Sequence, residues 1–233
     1  MEFLGEVVSD AFAAFSDFGP ELLEVIGLTL VVSGVSTVLG VILGVPLGTM
    51  LALERFPGSG LLRTFVNVGM GVPPVLVGLG VLLVFWSAGP LGSLGLVFTP
   101  AAMVVAQVVL AIPVAAGVTR GAVGGLAPEV IREIRALHLP ATMRYRLAIG
   151  EARAGVAAAV VAAFGRVISE VGAVLIVGGN ILGETRVLTT LIVQESRQAR
   201  FGIAIAAGMV LLAISLLVNL SLGRLHRPLG VGM

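Results

Sequence analysis

Five stretches of this chain, near residues 22–52, 65–86, 99–119, 154–178 and 201–222, run apolar for long enough to cross a lipid bilayer. A hydrocarbon core about 30 Å thick takes about 20 residues of helix. No water satisfies the backbone there, so a spanning segment must close its hydrogen bonds within itself as a helix, or around a barrel of much shorter strands. Runs of this length therefore predict an all-α integral membrane protein with about five transmembrane helices. The first run is longer than a perpendicular crossing requires, and Pro46, Pro73, Pro74 and Pro113 predict kinks or breaks. Composition agrees, because 58% hydrophobic and 12% charged residues with a mean hydropathy of +1.12 lie outside the range of soluble domains. The expected organisation is an amphipathic segment over 1–20, a transmembrane domain over 21–222 and a short tail over 223–233, with no soluble domain.

Charge placement supplies the sidedness. Lysine is absent and all fourteen basic residues are arginine. Woven five times through a bilayer, the chain collects Arg55, Arg63, Arg120, Arg132, Arg135, Arg144, Arg146, Arg153, Arg224 and Arg227 on one side and only Arg186, Arg197 and Arg200 on the other. The excess of arginine marks the cytoplasmic face, which predicts an external N-terminus and a cytoplasmic C-terminus. The first eighteen residues repeat Phe3, Leu4, Val7, Val8, Phe12, Phe15 and Phe18 at helical spacing with acids between, the pattern of an interfacial helix. Gly40, Gly44 and Gly48 fall on one helix face and permit a close helix approach, inside one subunit or at a contact between subunits.

Chemistry that needs a metal or thiol has no visible basis. Cysteine is absent, and His138 and His226 are too far apart in sequence for a local metal motif. A "GxxxxGK[ST]" phosphate loop is also missing. The longest polar stretch on the arginine-rich side is residues 121–153. Pro128 suits the first turn of a helix with Ile131, Ile134 and Leu137 along one face, Pro140 stops it, and Thr142 is placed to cap a second helix. Two short helices around a proline superficially suggest a nucleic-acid reader, but a loop tethered to membrane spans at both ends hardly reaches a groove, so no nucleic acid is expected. A docking knob for a cytoplasmic protein fits better than a basic loop lying on anionic lipid.

The stretch "EIRALHLPATMRYRLAIGEARAGV" resembles the coupling loop of ABC importer permeases: a short acidic helix, a turn, then a second element before the next span. Glu133 stands where the family's leading glutamate lies, His138 near the usual turn glycine, and Gly150 and Glu151 near the usual Leu-Pro. The segments "GPELLEVIGLTLVVS", "GVPPVLVGLGVLLVFWSAGPLGSLGLVFTPAAMVVAQ" and "ISEVGAVLIVGGNILGETRVLTTLIVQE" are similar to the permeases for tetrahedral oxyanions, above all the tungstate type, with molybdate, sulfate and vanadate as neighbouring alternatives. The resemblance implies a type I, MetI-like permease fold in a prokaryotic cytoplasmic membrane. It implies a second copy of the chain, two ABC ATPase subunits and an external oxyanion-binding protein as partners. ATP and Mg would be held by the ATPase, with no cofactor on this chain and no enzymatic activity of its own. The coupling residues would be Glu133, Ile134, Leu137, His138 and Leu139.

Arg166 and Glu170 interrupt the fourth apolar run, four residues apart. On a continuous helix they would be one turn apart and able to pair, either to lock packing or beside the translocation path, where Arg166 would attract a dianion. Gly172, Gly178 and Gly179 permit irregular backbone, and by resemblance this segment with Asn180 forms a gate between two permease copies. Glu184, Arg186, Glu195, Arg197 and Arg200 would offer a charged external surface to the binding protein. The rival from another class is an ATP-independent, proton- or ion-coupled secondary transporter with Arg166 and Glu170 as relay, which predicts inverted repeats that the chain does not display. A purely structural anchor leaves the arginine-rich loop and the glycines without a use.

Overall fold

A computed structural model describes residues 19–137 and 139–224. The side chains of the predicted interfacial segment over 1–20, together with His138 and residues 225–233 of the tail, lie outside the described residues. What is described is helical, without a strand. In order come α1 (Gly19–Leu53), α2 (Ser59–Gly71), α3 (Pro74–Phe85), a single 3-10 turn (Gly92–Leu94), α4 (Pro100–Gly124), α5 (Pro128–Ala136), α6 (Ala141–Glu151), α7 (Arg153–Ile168), α8 (Gly172–Gly178), α9 (Leu188–Arg197) and α10 (Phe201–Arg224). Among the described residues three helices, α1, α4 and α10, are long and apolar enough to cross a membrane alone, and up to five spans result if the pairs α2 with α3 and α6 with α7 each count as one.

The prolines act differently by position. Pro46 and Pro113 sit inside continuous helices, whereas the chain leaves helical geometry at Val72 and Pro73 and restarts with Pro74 in the first turn of α3. A lone proline removes one hydrogen bond, but tandem prolines also force an extended residue ahead of the second ring. The expected single span over 65–86 is thus two helices. The expected fourth span over 154–178 is likewise interrupted: α7 ends at Ile168 and α8 begins at Gly172.

Two compact units divide the chain. The first comprises the residues up to Ser36, Pro73–Gln107 and Ile168–Leu217. Its apolar centre joins Leu22 and Val25 of α1 to Leu188 and Leu191 of α9 and Ala207 of α10. Thr29 reinforces that junction: its hydroxyl donates to the Val25 carbonyl at 2.6 Å and accepts the Leu188 N–H, the first of α9, at 2.9 Å. Close backbone approach holds α3 against α8, since a Cβ at Gly78 would lie 2.7 Å from Ala173 Cα.

The second unit comprises Thr37–Val72, Val108–Val167 and the chain from Val218 on. Here the glycine stripe does its packing within the chain: Gly40, Gly44 and Gly48 face Ala111, Ala115 and Ala116 of α4. One apolar cluster joins Leu51, Val66 and Ala116, and another joins Leu53 and Val123 to Ile134, Ala148 and Ala152 of the loop helices. The C-terminal carbonyls of α1 lack helical donors, and arginines supply them. Arg63 donates to the Leu51 carbonyl at 2.9 Å and Arg135 to that of Leu53 at 2.7 Å.

Burial along α1 inverts the soluble pattern. Thr29, Ser33, Ser36, Thr37 and Thr49 are buried while Leu23, Val31, Val38, Ile42 and Leu43 are exposed. Lipid removes any penalty for exposing leucine, and small hydroxyl residues permit close packing inside, where Ser36 and Thr49 satisfy their hydroxyls on the carbonyls four residues back.

Candidate functional site

The polar loop of the second unit forms two helices. α5 starts with Pro128 at its first turn, as the sequence predicts. α6 starts at Ala141 after an extended Pro140, so Thr142 lies within the helix and does not cap it. At Ala152 the chain turns by 86° into α7.

The five residues expected to couple separate by position. Ile134 is 4% exposed and packs in the chain's own core, which makes it the anchor of α5 and withdraws it from any partner. Leu137, just past the helix end, is 52% exposed. Glu133 is exposed, Leu139 half-buried, and His138 falls outside the described residues. Met143 and Leu147 of α6 are exposed as well. Leu137, Met143 and Leu147 are therefore the apolar groups that this element leaves uncovered. One ion pair ties its base to the end of α1, Arg144 meeting Glu54 at 2.9 Å, half-buried, while the Arg132–Glu129 pair at 2.6 Å is exposed and lies within α5. Burial first, then the Glu54 carboxylate, pushes the Tyr145 phenol above its ordinary pKa against the opposing pull of Arg144, so the hydroxyl stays neutral.

In the first unit, the gate residues surround the interruption before α8. Arg166 occupies the last turn of α7 in the second unit, whereas Glu170 lies beyond the helix end in the first. The premise that they stand one turn apart on a continuous helix is therefore incorrect. Glu170 is 5% exposed. Its carboxylate accepts the Ala173 N–H at 3.1 Å, one of the donors that the start of α8 leaves open, and its carbonyl accepts the Thr189 hydroxyl at 2.9 Å. α9 thus ties down the interruption. Two of the glycines here are packing positions, because a Cβ at Gly172 would lie 2.7 Å from Val75 Cγ2 and one at Gly178 2.8 Å from Met103 Sδ. Gly179, at φ 71°, ends α8 in the left-handed conformation that glycine adopts without strain.

Beyond α8, a polar network orders the turn. Asn180, itself left-handed at φ 56°, donates to Gln194 Oε1 at 2.5 Å, and Arg186 donates to the same oxygen at 3.0 Å and to Asn180 Oδ1 at 3.3 Å. The Thr185 hydroxyl donates to the Gly178 carbonyl and accepts the Ile181 N–H. A cavity of about 180 Å³ opens beside this network, lined by Asn180, Thr190, Gln194, Arg197 and Gln198 with apolar neighbours. Of the charges expected on the surface, Glu184, Arg197 and Arg200 are exposed, while Arg186 is half-buried and committed to the turn. Glu195 is not a surface group: it is 2% exposed, with Arg200 Nε 2.9 Å from its carboxylate. Thr29, Thr189 and Gln194 are the residues that sequence reasoning missed. Their only signal was a hydroxyl or amide at helical spacing in an apolar run.

Helices of membrane-spanning length, an exposed two-helix knob in one unit and an interrupted, glycine-lined segment in the other fit a membrane permease. Residues 44–230 match the family described as "Binding-protein-dependent transport system inner membrane component". The chain is 40% identical over 203 residues to a "Probable anion ABC transporter permease protein" of Haloferax volcanii, covering 85% of this chain and 88% of that one. It is 36% identical over 219 residues to a "Tungstate uptake system permease protein TupB" of Peptoclostridium acidaminophilum, covering 94% and 96%. Among solved structures, a chain of the MetNI methionine ABC transporter in an inward-facing conformation superposes with a TM-score of 0.73 over 89% of this chain and 95% of that one, at 20% identity, a likeness of fold alone. The chain belongs to the binding-protein-dependent transport system inner-membrane components. It is an ABC importer permease with the MetI-type fold, a multi-pass inner-membrane subunit for transport and not an enzyme.

Proposed function

We propose that this permease passes a tetrahedral oxyanion, tungstate foremost, into the cell. The observation that carries the reading is the 36% identity to a tungstate uptake permease across nearly the whole of both chains, supported by the 40% identity to an anion permease. The N-terminus lies outside, residues 121–153 inside and residues 180–200 outside, which puts the arginine excess on the cytoplasmic face. Two copies pair about a two-fold axis, because a single set of about five spans encloses a pathway poorly.

Leu137, with Leu139 and Glu133 beside it, docks on an ABC ATPase subunit, one for each permease copy, that holds ATP and Mg. α5 transmits the ATPase motion because Ile134 fastens it to the ends of α1 and α4, so the knob moves with the spans rather than bending on them. On the outer side the external binding protein rests on Glu184, Arg197 and Arg200 and delivers the anion near Asn180. The segment from Glu170 to Gly179 opens and closes the route. This chain binds no cofactor in that cycle.

The test is ATPase stimulation in the assembled transporter by the binding protein loaded with tungstate, molybdate, sulfate or vanadate. Stimulation greatest with the tungstate-loaded protein is expected. Equal stimulation by the empty protein, or by none of the loaded forms, would remove the oxyanion assignment.

A further inference from the structure

The second unit holds a cavity of about 550 Å³ at the C-terminal end of α1, lined by Arg55, Arg63, Arg120 and Arg135 with Asn67 among them. Among the described residues its lining contains no carboxylate. We infer that this cavity is an anion site that takes a tetrahedral phosphate or related dianionic group, lined by none of the gate residues proposed above and independent of which anion is carried.

Membrane sidedness accounts for arginines on this side of the protein but not for four of them converging on one hollow. Two have a structural role, since Arg63 and Arg135 each give one terminal nitrogen to the carbonyls that end α1. That use leaves donors over, as a guanidinium carries five N–H bonds in a rigid fork. Arg63 Nε is buried and has no hydrogen-bond partner among the described residues. Arg120 donates to Asn67 Oδ1 at 3.1 Å, which holds its side chain without neutralising it. The carboxylate nearest in sequence, Glu54, is engaged with Arg144 at 2.9 Å and does not line the cavity.

Four like charges around one cavity repel each other, and an anion accepting several charge-assisted hydrogen bonds relieves that repulsion. A dianion gains more than a monoanion, and tetrahedral oxygens suit paired guanidinium donors. The volume admits a hydrated oxyanion or the phosphate end of a lipid headgroup. The shared chemistry is a phosphate-like group, and its source is either the aqueous phase or an anionic lipid.

The experiment uses the full-length permease with its ATPase partner in nanodiscs. In discs of phosphatidylcholine alone, inorganic phosphate and tungstate are titrated calorimetrically at low and at moderate salt. In discs doped with phosphatidylglycerol, retained lipid is counted by native mass spectrometry. The variants are Arg55→Gln, Arg120→Gln and their combination, which spare the two arginines that end α1. If the source is aqueous, the free anion binds once per permease with salt-sensitive affinity and the double variant weakens it about tenfold or more. If the source is lipid, free anion does not bind, but wild type retains phosphatidylglycerol that the double variant loses. Should the double variant misfold, Arg55→Gln alone decides, since Arg55 is exposed and an affinity loss of about threefold or more is expected from one contact. Wild type that binds neither anion nor lipid, or binds them no better than the variants, overturns the inference.

Discussion

The contrast between Ile134 and Leu137 separates holding the knob from using it. Ile134 is 4% exposed among Leu53, Val123, Ala148 and Ala152, so Ile134→Ala removes a fully buried branched side chain. That truncation costs about 2–5 kcal/mol, depending on how far the alanines around it collapse. Leu137 is 52% exposed, so in the isolated permease Leu137→Asp forfeits only about half the burial of a leucine, on the order of 1 kcal/mol. Docked in an apolar cleft of the ATPase, the same carboxylate loses its hydration without a partner, at a cost of several kcal/mol, or on the order of a hundredfold or more in affinity. Thermal melting of the purified permease and ATPase pull-down with activity, measured on both variants, resolve the two effects. Ile134→Ala should melt well below wild type, whereas Leu137→Asp should melt close to wild type yet fail to retain or couple the ATPase. Normal coupling by Leu137→Asp, or wild-type melting with lost ATPase binding in Ile134→Ala, refutes the division of roles.

A Cβ at Gly48 would overlap the Ala116 carbonyl oxygen, so Gly48→Ala should destabilise by about 1–3 kcal/mol despite its better helix propensity. Gly34→Ala, where a Cβ meets nothing within 4 Å, should instead leave the melting temperature unchanged or raise it. Glu170→Ala removes the acceptor for the Ala173 N–H and should lose at least about 1–2 kcal/mol, read from thermal melting. For sidedness, Ser196→Cys should react with a membrane-impermeant maleimide from outside in intact cells, and Thr142→Cys only after permeabilisation; the opposite pattern would invert the topology.

What could be read from the sequence follows from how each feature is encoded. Spans near α1, α4 and α10 were legible because uninterrupted apolar length is itself the signal, and the break at Pro73 was marked by two adjacent rings. The interruption at Ser169–Val171 was marked only by the glycines that follow it, since a serine, a glutamate and a valine all fit a helix, and its backbone is met by the Glu170 carboxylate and by the Thr189 hydroxyl of α9. Periodicity placed Ile131, Ile134 and Leu137 on one stripe but said nothing of what that stripe meets. α5 turns Ile134 into its own core and ends before Leu137 is covered. Glu195 read as surface because its helix is polar, yet Arg200 folds back to meet it. The glycine stripe was legible as close packing, and its partner, the alanines of α4, was not.

Uptake by the whole transporter in proteoliposomes tests the central claim most directly. The permease is reconstituted with its ATPase and the tungstate-loaded external binding protein, and internal tungstate is followed with ATP and Mg supplied on the ATPase side, or withheld while a proton gradient is imposed. The account predicts accumulation that requires ATP, the binding protein and an intact Leu137, with no response to the gradient alone. Accumulation driven by the gradient without ATP would contradict it.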